Sequence, residues 1–406
     1  MLCQIVNLIP KTIFTEAVQE NNSDSYFKTM TTFKQFVFML YGVITKVDSL
    51  NSLCKNLLFL EDKLTYLGIS ELPATSTLSY ANINRESIVF CAIYLKLYAH
   101  FKKELQGPNV NSLLESKLND KDIFILDSST ISVFADLVRG AGRTPISGKK
   151  KGGYKTHSKL PLDSEVPDLV HITESAVNDK TFLGQLKPKV GDVYIFDKGY
   201  VNYVIWKQWS EDGVYFVTQL NDNANYEVLS GKVNDLIDYA DGGIISDQTI
   251  LLSPTKTALT ARLVVYCDPE TGKIHHFLSN MFDYEATTII QLYKYRWNIE
   301  TFFKRLKQNF QLSYFYSDSD EGMKTQIWIA LIANLMLTVL HRQTKETEIY
   351  RTMVSIIANN MTSYFSIYKM LETKRLTQAD RNIGIIQLNL FEIRQGGVLG
   401  KSNKSP

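Results

Sequence analysis

Two short runs, DIFILD (Asp122–Asp127) and DVYIFD (Asp192–Asp197), constrain the fold of this chain more than any other feature. Each is a few consecutive apolar residues closing on an aspartate. Continuous apolar runs of this length, rich in Ile, Val and aromatic residues, read as buried strands. In an open α/β sheet, ligands bind along the edge formed by the carboxyl ends of the strands. Both acids are therefore aimed at a candidate ligand edge. A single strand-end acid is ordinarily a turn or helix cap, so the argument needs a third group.

The flanking pattern predicts a mixed sheet. TISVFAD follows the first run as a second strand and DLVHITES (Asp168–Ser175) is a third. VYFVTQL (Val214–Leu220) is a fifth, reached through the amphipathic helix NYVIWKQWSEDG. Two antiparallel-looking strands followed by strand–helix–strand give an α/β sheet. From about 221 to 282 the runs IISDQTILLS, ARLVVYCD and KIHHFLSN, with DPETG as a turn, predict a β-rich insertion in that domain. Helical periodicity dominates elsewhere: Phe33–Val47, Ser49–Leu60 and Glu86–Leu105 before the sheet, and again to about Lys345 and over Glu348–Leu371 after it. The tail GGVLGKSNKSP reads as frayed.

The 406 residues, 45% of them hydrophobic, suffice for two or more cored domains. A net charge of +2 points to no partner by itself, so charge has to be read locally. Cys3, Cys54, Cys91 and Cys267 lie far apart with no CxxC, which argues against zinc or a disulfide framework and for a reducing compartment. The start, MLCQIVNLIPKTIF, lacks the features of a signal peptide. The longest apolar run, IWIALIANLMLTVL (Ile327–Leu340), contains Asn334, is too short to cross a bilayer and predicts a buried core helix. The expected location is the cytoplasm, with no membrane partner.

The third carboxylate lies in YKYRWNIETFFKRLKQNF (Tyr293–Phe310), which has no Gly or Pro and predicts one helix. At roughly 100° per residue, Tyr293, Arg296, Glu300 and Lys307 fall within an arc of about 60°. Ile299, Phe303, Leu306 and Phe310 form an apolar stripe about a quarter-turn away. One stripe anchors the helix and the other presents a carboxylate among two cations and a phenol. A solvated face with an Arg–Glu pair at i,i+4 would account for Arg296 and Glu300, but not for Tyr293 or Lys307. Three carboxylates brought together ionise only if cations neutralise them. Hard oxygen ligands suit Mg²⁺ or Mn²⁺ rather than zinc. Two such ions about 4 Å apart would activate an attacking oxygen and stabilise a leaving one in phosphoryl transfer. Asp127, Asp197 and Glu300 are thus candidate metal ligands, with Arg296 and Lys307 as phosphate clamps.

Two further segments point to nucleic acid. The loop RGAGRTPISGKKKGGYKTHSK (Arg139–Lys159) carries Arg139, Arg143, Lys149, Lys150, Lys151, Lys155 and Lys159 and no acid, which predicts a phosphate-tracking surface. His157 joins it as a phosphate contact, and a merely solvated basic loop is the plainer alternative. A P-loop is ruled out because Lys150 stands where Ser or Thr is required. His275 and His276 read as a strand pair without catalytic meaning. Near the N-terminus, Ser49–Leu60, a turn and Ser76–Asn84 predict a helix-turn-helix that presents Ser, Thr, Asn and Arg85 to base edges. An ordinary helical bundle is the alternative there.

Together these residues resemble one family. Tyr293-x2-Arg296-x3-Glu300-x6-Lys307 is similar to the Y-x2-R-x3-E-x6-K signature of family four of the insertion-sequence transposases, in the D-D-E class. DSST (Asp127–Thr130) and DKGY (Asp197–Tyr200) resemble its first and second acidic motifs, and YKTHSK its strand after the basic loop. The helical segment from Phe33 resembles the domain that precedes the core in many bacterial members. The likeness runs from about residue 5 to about residue 340.

The resemblance implies an α/β, ribonuclease H-like catalytic core (116–345) interrupted by the β-rich insertion. A helical N-terminal DNA-binding domain (1–115) would precede it and a helical C-terminal region with a tail (346–406) would follow. The implied activity is cut-and-paste: hydrolysis at an element's end frees a 3′-OH, which forms a hairpin on the opposite strand; the hairpin is reopened and the 3′-OH joined to target DNA. Asp127, Asp197 and Glu300 would hold two Mg²⁺ or Mn²⁺ ions, while Tyr293, Arg296 and Lys307 grip phosphates. The implied partners are double-stranded DNA, as terminal inverted repeats and target, and a second copy in a homodimer that cuts both ends. The implied setting is the bacterial nucleoid. Hairpin-forming members can stack an extruded base on an insertion-domain Trp, and this insertion has none. Trp297 would supply one stacking wall instead, with Tyr226, Tyr239 or Tyr266 as the other. A nuclease of the same fold that cuts without joining, and a catalytically idle DNA-binding descendant, stay open; the three carboxylates weigh against the latter.

Overall fold

The first apolar run forms β1 (Ile123–Ser132), in the middle of a 10-stranded sheet. β2 (Gly142–Arg143), β3 (Lys151–Pro161), β4 (Leu169–Glu174), β5 (Val193–Phe196) and β6 (Tyr215–Gln219) follow along the chain. β3 is antiparallel to β1 and β4 is antiparallel to β3. On the other side of β1, β5 and then β6 run parallel to it. Leaving out the two-residue β2, the spatial order is third, second, first, fourth, fifth, with the second strand reversed. This is the ribonuclease H-like arrangement. The computed structural model describes residues 1–107, 114, 116–132, 142–143, 151–233, 242–253, 257–344, 349–364 and 366–368.

The insertion is an antiparallel meander of β7 (Tyr226–Val233), β8 (Gly243–Leu252), β9 (Leu259–Cys267) and β10 (Ile274–Ser279). It does not form a separate sheet. β10 pairs antiparallel with β6, so the insertion widens the central sheet. The DPETG turn forms between β9 and β10: Asp268 accepts from the backbone of Glu270 and Thr271, and Gly272 takes φ 67°, which favours glycine.

Among the described residues, eight α-helices precede the sheet: α1 (Leu2–Val6), α2 (Lys11–Asn21), α3 (Thr32–Thr45), α4 (Leu50–Leu57), α5 (Glu61–Leu64), α6 (Thr75–Asn84), α7 (Ile88–His100) and α8 (Lys102–Leu105). Hydroxyl caps set the starts of α3 and α4, where Thr31 accepts from the Lys34 N–H and Ser49 from the Ser52 N–H. After α9 (Tyr203–Glu211), between β5 and β6, come α10 (Ala286–Lys294), α11 (Trp297–Asn309), α12 (Asp320–Gln343) and α13 (Tyr350–Asn359). α12 holds the apolar run expected to be a core helix. It is long and apolar enough to cross a membrane, but 94% of its apolar window is buried inside the protein. α3, α6 and α7 pack against it, so the N-terminal helices share one apolar core with α10, α11 and one face of the sheet. A second core on the other face gathers Leu126, Phe196, Trp206 and Trp209 around α9.

The helix-turn-helix expectation is corrected here. α4 and α6 are separated by the 3-10 turns Leu58–Leu60 and Thr65–Leu67 with α5 between them, not by the short turn that motif requires. Arg85 does not face outward either, being only 1% exposed. Its guanidinium donates to Gln35 Oε1, the Ser23 carbonyl at 3.1 Å and the Met30 carbonyl at 2.7 Å, and pairs with Asp24 at 3.2 Å. Burial pulls its pKa down to about 10, against the opposing pull of Asp24. Arg85 ties the α2–α3 connection to the end of α6.

Candidate active site

β1 and β5 pair in parallel from Ile123↔Val193 to Leu126↔Phe196. The next residue on each strand is an aspartate, so the register sets Asp127 beside Asp197 at the sheet's ligand edge. β1 itself runs on to Ser132 as the partner of β3, which places Asp127 within a strand and not at its end. Its Oδ1 accepts from the Ser128 N–H at 2.8 Å. Asp197 starts the 3-10 turn Lys198–Tyr200 and accepts from the Lys198 N–H at 2.6 Å.

α11 lies against β1 and brings the third carboxylate. Ile299, Phe303, Leu306 and Phe310 are all buried, as the stripe predicts, with Phe302 beside them. That anchoring turns Glu300 toward the aspartates. Arg296 links the two sides: its Nη2 is 2.6 Å from Glu300 Oε1 and its Nη1 is 3.8 Å from Asp127 Oδ2. Lys307, two turns on, donates to the Thr130 carbonyl of β1 at 2.7 Å.

Tyr293 departs from the single-helix expectation. The helix tightens at Tyr295–Arg296, where the Arg296 N–H bonds the Tyr293 carbonyl at 3.0 Å and the Asn298 N–H bonds that of Tyr295 at 2.9 Å. These i to i+3 bonds split it into α10 and α11. Tyr293 is therefore buried on α10, its ring 5.0 Å from that of Phe277, with the Arg296 guanidinium 5.6 Å from its centroid. Burial pushes the Tyr293 phenol up to about 12.

The electrostatics fit a cation site. Burial raises Asp127 to about 6; the Ser128 N–H and Arg296 pull it down, while the charges of Asp197 and Glu300 push it further up. Burial would lower Arg296, but Tyr293, Glu300 and Asp127 outweigh that and hold it above its ordinary value. The donor set is three oxygen-bearing side chains, one of them raised mainly by burial, which suits a hard divalent ion. Among the described residues, no group of three His, Cys, Asp or Glu stands close enough to hold a metal, and the Arg296 guanidinium reaches toward both Asp127 and Glu300.

The basic segment is corrected in part. Lys149 and Lys150 lie outside the described residues, and Lys151 is the first residue of β3. From there to Lys159 the chain is strand, not loop. Lys155 is 7% exposed and pairs with Asp179 at 3.0 Å. His157 is 1% exposed, stacks on Phe182 and shares a 2.9 Å hydrogen bond with Thr173; burial pulls it down to about 4, so it is neutral. Lys159 pairs with Asp168 at 3.0 Å and covers the Phe124 ring. These three side chains are spent inside the sheet layer.

Trp297 is 66% exposed, immediately after Arg296. Of its suggested partners, Tyr226 is exposed, Tyr266 is half-buried under Lys294, and Tyr239 lies outside the described residues. Sequence reasoning missed Asp179, which accepts from Ser128 Oγ at 2.7 Å directly behind Asp127. Its one signal, an Asn-Asp pair opening a short 3-10 helix, looks like any cap.

Residues 118–336, which hold all three carboxylates, match the family model of the transposase DDE domain. The chain belongs to this family. Residues 1–70 of this DDE transposase-domain chain also match a domain of unknown function. Its curated relatives include proteins described as transposases. One is y4zB of Sinorhizobium fredii, at 30% identity over 48% of this chain and 55% of that protein. Another belongs to insertion sequence element IS5377 of Geobacillus stearothermophilus, at 24% identity over 58% of this chain and 62% of that protein. A third belongs to element IS4SA of Synechocystis, at 26% identity over 65% and 71%. The DDE chain thus matches less than two thirds of the length of the first two.

Proposed function

We propose that this chain is a DNA transposase that excises an insertion element and joins it to new DNA, by metal-dependent phosphodiester hydrolysis and strand transfer. The observation that carries the reading is the placement of Asp127 and Asp197 side by side on the β1–β5 edge, with Glu300 of α11 tied to Asp127 through Arg296. Asp127, Asp197 and Glu300 would hold the ions, Mg²⁺ or Mn²⁺. When bound, such ions supply activation of the attacking oxygen and stabilisation of the leaving one.

The chain's own residues then bind and orient the DNA. Arg296, with a planar fork of donors beside the carboxylates, would bind a non-bridging phosphate oxygen. Lys307, two turns beyond Glu300 on α11, would hold the same strand. Tyr293, kept protonated by burial, fixes the Arg296 guanidinium over its ring. Trp297, exposed beside them, offers a stacking surface for a base displaced by a hairpin. Double-stranded DNA is the substrate and partner, and two copies acting on paired ends would cut both together.

The test is an excision assay with a supercoiled plasmid carrying the element and its flanks, in Mg²⁺. Release of the element and its recovery at new sites support the reading. Cutting without joining would identify a nuclease of this fold, and binding without cutting an idle DNA-binding protein.

A further inference from the structure

A second polar cluster lies on the reverse face of β1. Asp127 shares its face with Ile125 and Ile131, toward the α11 core, whereas Ser128 and Thr130 share the other with Leu126. On that reverse face the Ser128 hydroxyl donates to Asp179 Oδ1 at 2.7 Å. Asp179 is held in turn by Lys155 Nζ at 3.0 Å, which also donates to the Val177 carbonyl at 3.1 Å, while the neutral His157 ring lies alongside with Nδ1 3.6 Å away. The β1–β3 register places these side chains directly, pairing Ser128 with His157 and Thr130 with Lys155. Tyr200 of the DKGY stretch is buried close by, in the field of Asp127 and Asp179.

Ser128 thus makes two bonds that act on one peptide unit. Its N–H donates to Asp127 Oδ1 at 2.8 Å, while its hydroxyl is clamped from behind by Asp179. We propose that Asp179 is a positioning residue for the reaction, fixing Ser128 so that Asp127 turns its other carboxylate oxygen, Oδ2, to the edge it shares with Arg296, Asp197 and Glu300. The inference rests on the carboxylate reading given under Proposed function. Carboxylates that ligate ions are themselves hydrogen-bonded, and losing such an outer partner ordinarily costs 10- to 100-fold in metal affinity. A Lys–Asp pair with a buried lysine and a half-buried aspartate is a poor source of stability, which leaves its orienting bond to Ser128 as the better reason for its presence.

The test is direct Mn²⁺ binding to the full, DNA-free chain, followed by electron paramagnetic resonance, with melting temperature and single-turnover cleavage in parallel. Ser128→Ala removes the link without unpairing Lys155, so it keeps the test sound even if Asp179→Ala fails to fold. The expected result is Mn²⁺ affinity about 10-fold weaker in Ser128→Ala, near-wild-type melting, and recovery in Ser128→Thr. Asp179→Ala should match Ser128→Ala, and the double variant should be no worse than either single one. Wild-type Mn²⁺ affinity in Ser128→Ala, or effects that multiply in the double variant, would overturn the proposal. Asp127→Ala separates the two readings. If it keeps Mn²⁺ the carboxylate site itself is wrong, and if it loses Mn²⁺ while Ser128→Ala does not, only the positioning role fails.

Discussion

Along β3 the cations Lys155 and Lys159 are taken up by Asp179 and Asp168, whereas Arg296, at the start of α11, and the exposed Lys307 on it stand at the edge that holds Asp127 and Glu300. Both segments look like DNA contacts by composition. The difference lies in what each element packs against. β3 sits between β1 and β4, so its side chains meet covered surfaces and their charges must find partners within the protein. α11 buries one stripe only, and its polar stripe is left facing the carboxylates. A run of like charge is therefore informative about function only once the covered faces are known.

The largest effect separates the edge from everything else. Asp127→Ala, Asp197→Ala and Glu300→Ala are each expected to cut strand cleavage by about 10³-fold or more, as for groups that act as a unit. DNA affinity should stay close to wild type, because it rests mainly on cations elsewhere. Cleavage of a cognate end in Mg²⁺, with binding followed by gel shift, checks this. A variant that still nicks at near wild-type rate removes that residue from the site.

Stability is the next largest contrast. Lys155→Ala leaves the half-buried Asp179 without its cation, and Arg85→Ala strips a buried donor from three backbone or amide acceptors and Asp24. Each should cost about 3 kcal/mol in denaturant unfolding. Lys307→Ala should cost within about 0.5 kcal/mol, as a substitution at an exposed position does, yet slow cleavage. If Lys155→Ala unfolds like wild type but loses DNA, the inward reading of β3 fails.

Much of the α11 edge was legible because helical periodicity converts spacing into direction: Ile299, Phe303 and Leu306 fix where Glu300 and Arg296 must point. Tyr293 escaped because a 3-10 turn at Tyr295–Arg296 changes the angle per residue. The paired aspartates were legible as strand-end acids, although β1 continues past Asp127. On β3, Lys155, His157 and Lys159 stand two residues apart and so share one face, but their partners Asp168 and Asp179 come from later segments. Arg85 hid in the same way, since Ser23, Asp24, Met30 and Gln35 are all distant in sequence. Three of the insertion's strands were readable, β7 was not, and the pairing of β10 with β6 depends on a long-range register no local pattern encodes.

Asp127 also predicts a smaller effect in the opposite direction from its role in catalysis. Its folded-state pKa is about 6, above the 3.8 of an ordinary aspartate. Between those values the folded state holds the proton more tightly than the unfolded state, so stability falls as pH rises through the window and the full cost is present above about 6. Asp127→Asn removes that cost. The metal-free variant should melt a few degrees above wild type at pH 8, with the gap closing toward pH 4. Mg²⁺ should raise the melting temperature of wild type and leave the variant unmoved. Parallel pH profiles for the two proteins would mean that Asp127 titrates normally.

The smallest effect is the slope of DNA affinity against salt, and it tests the comparison most finely. Each cation that neutralises a phosphate contributes about 0.9 to the slope of log affinity against log salt. Replacing Lys149, Lys150 and Lys151 together by Gln should lower that slope by up to about 3 if all three reach the backbone. Replacing Lys159 by Gln should leave the slope unchanged, because its ammonium is paired with Asp168 at 3.0 Å in the free protein. Filter binding across a salt series with one duplex measures both. If Lys159→Gln lowers the slope by about 0.9, the Asp168 pair opens on DNA and β3 works as a phosphate contact after all. An unchanged slope in the triple variant would leave the whole basic segment without a part in DNA binding.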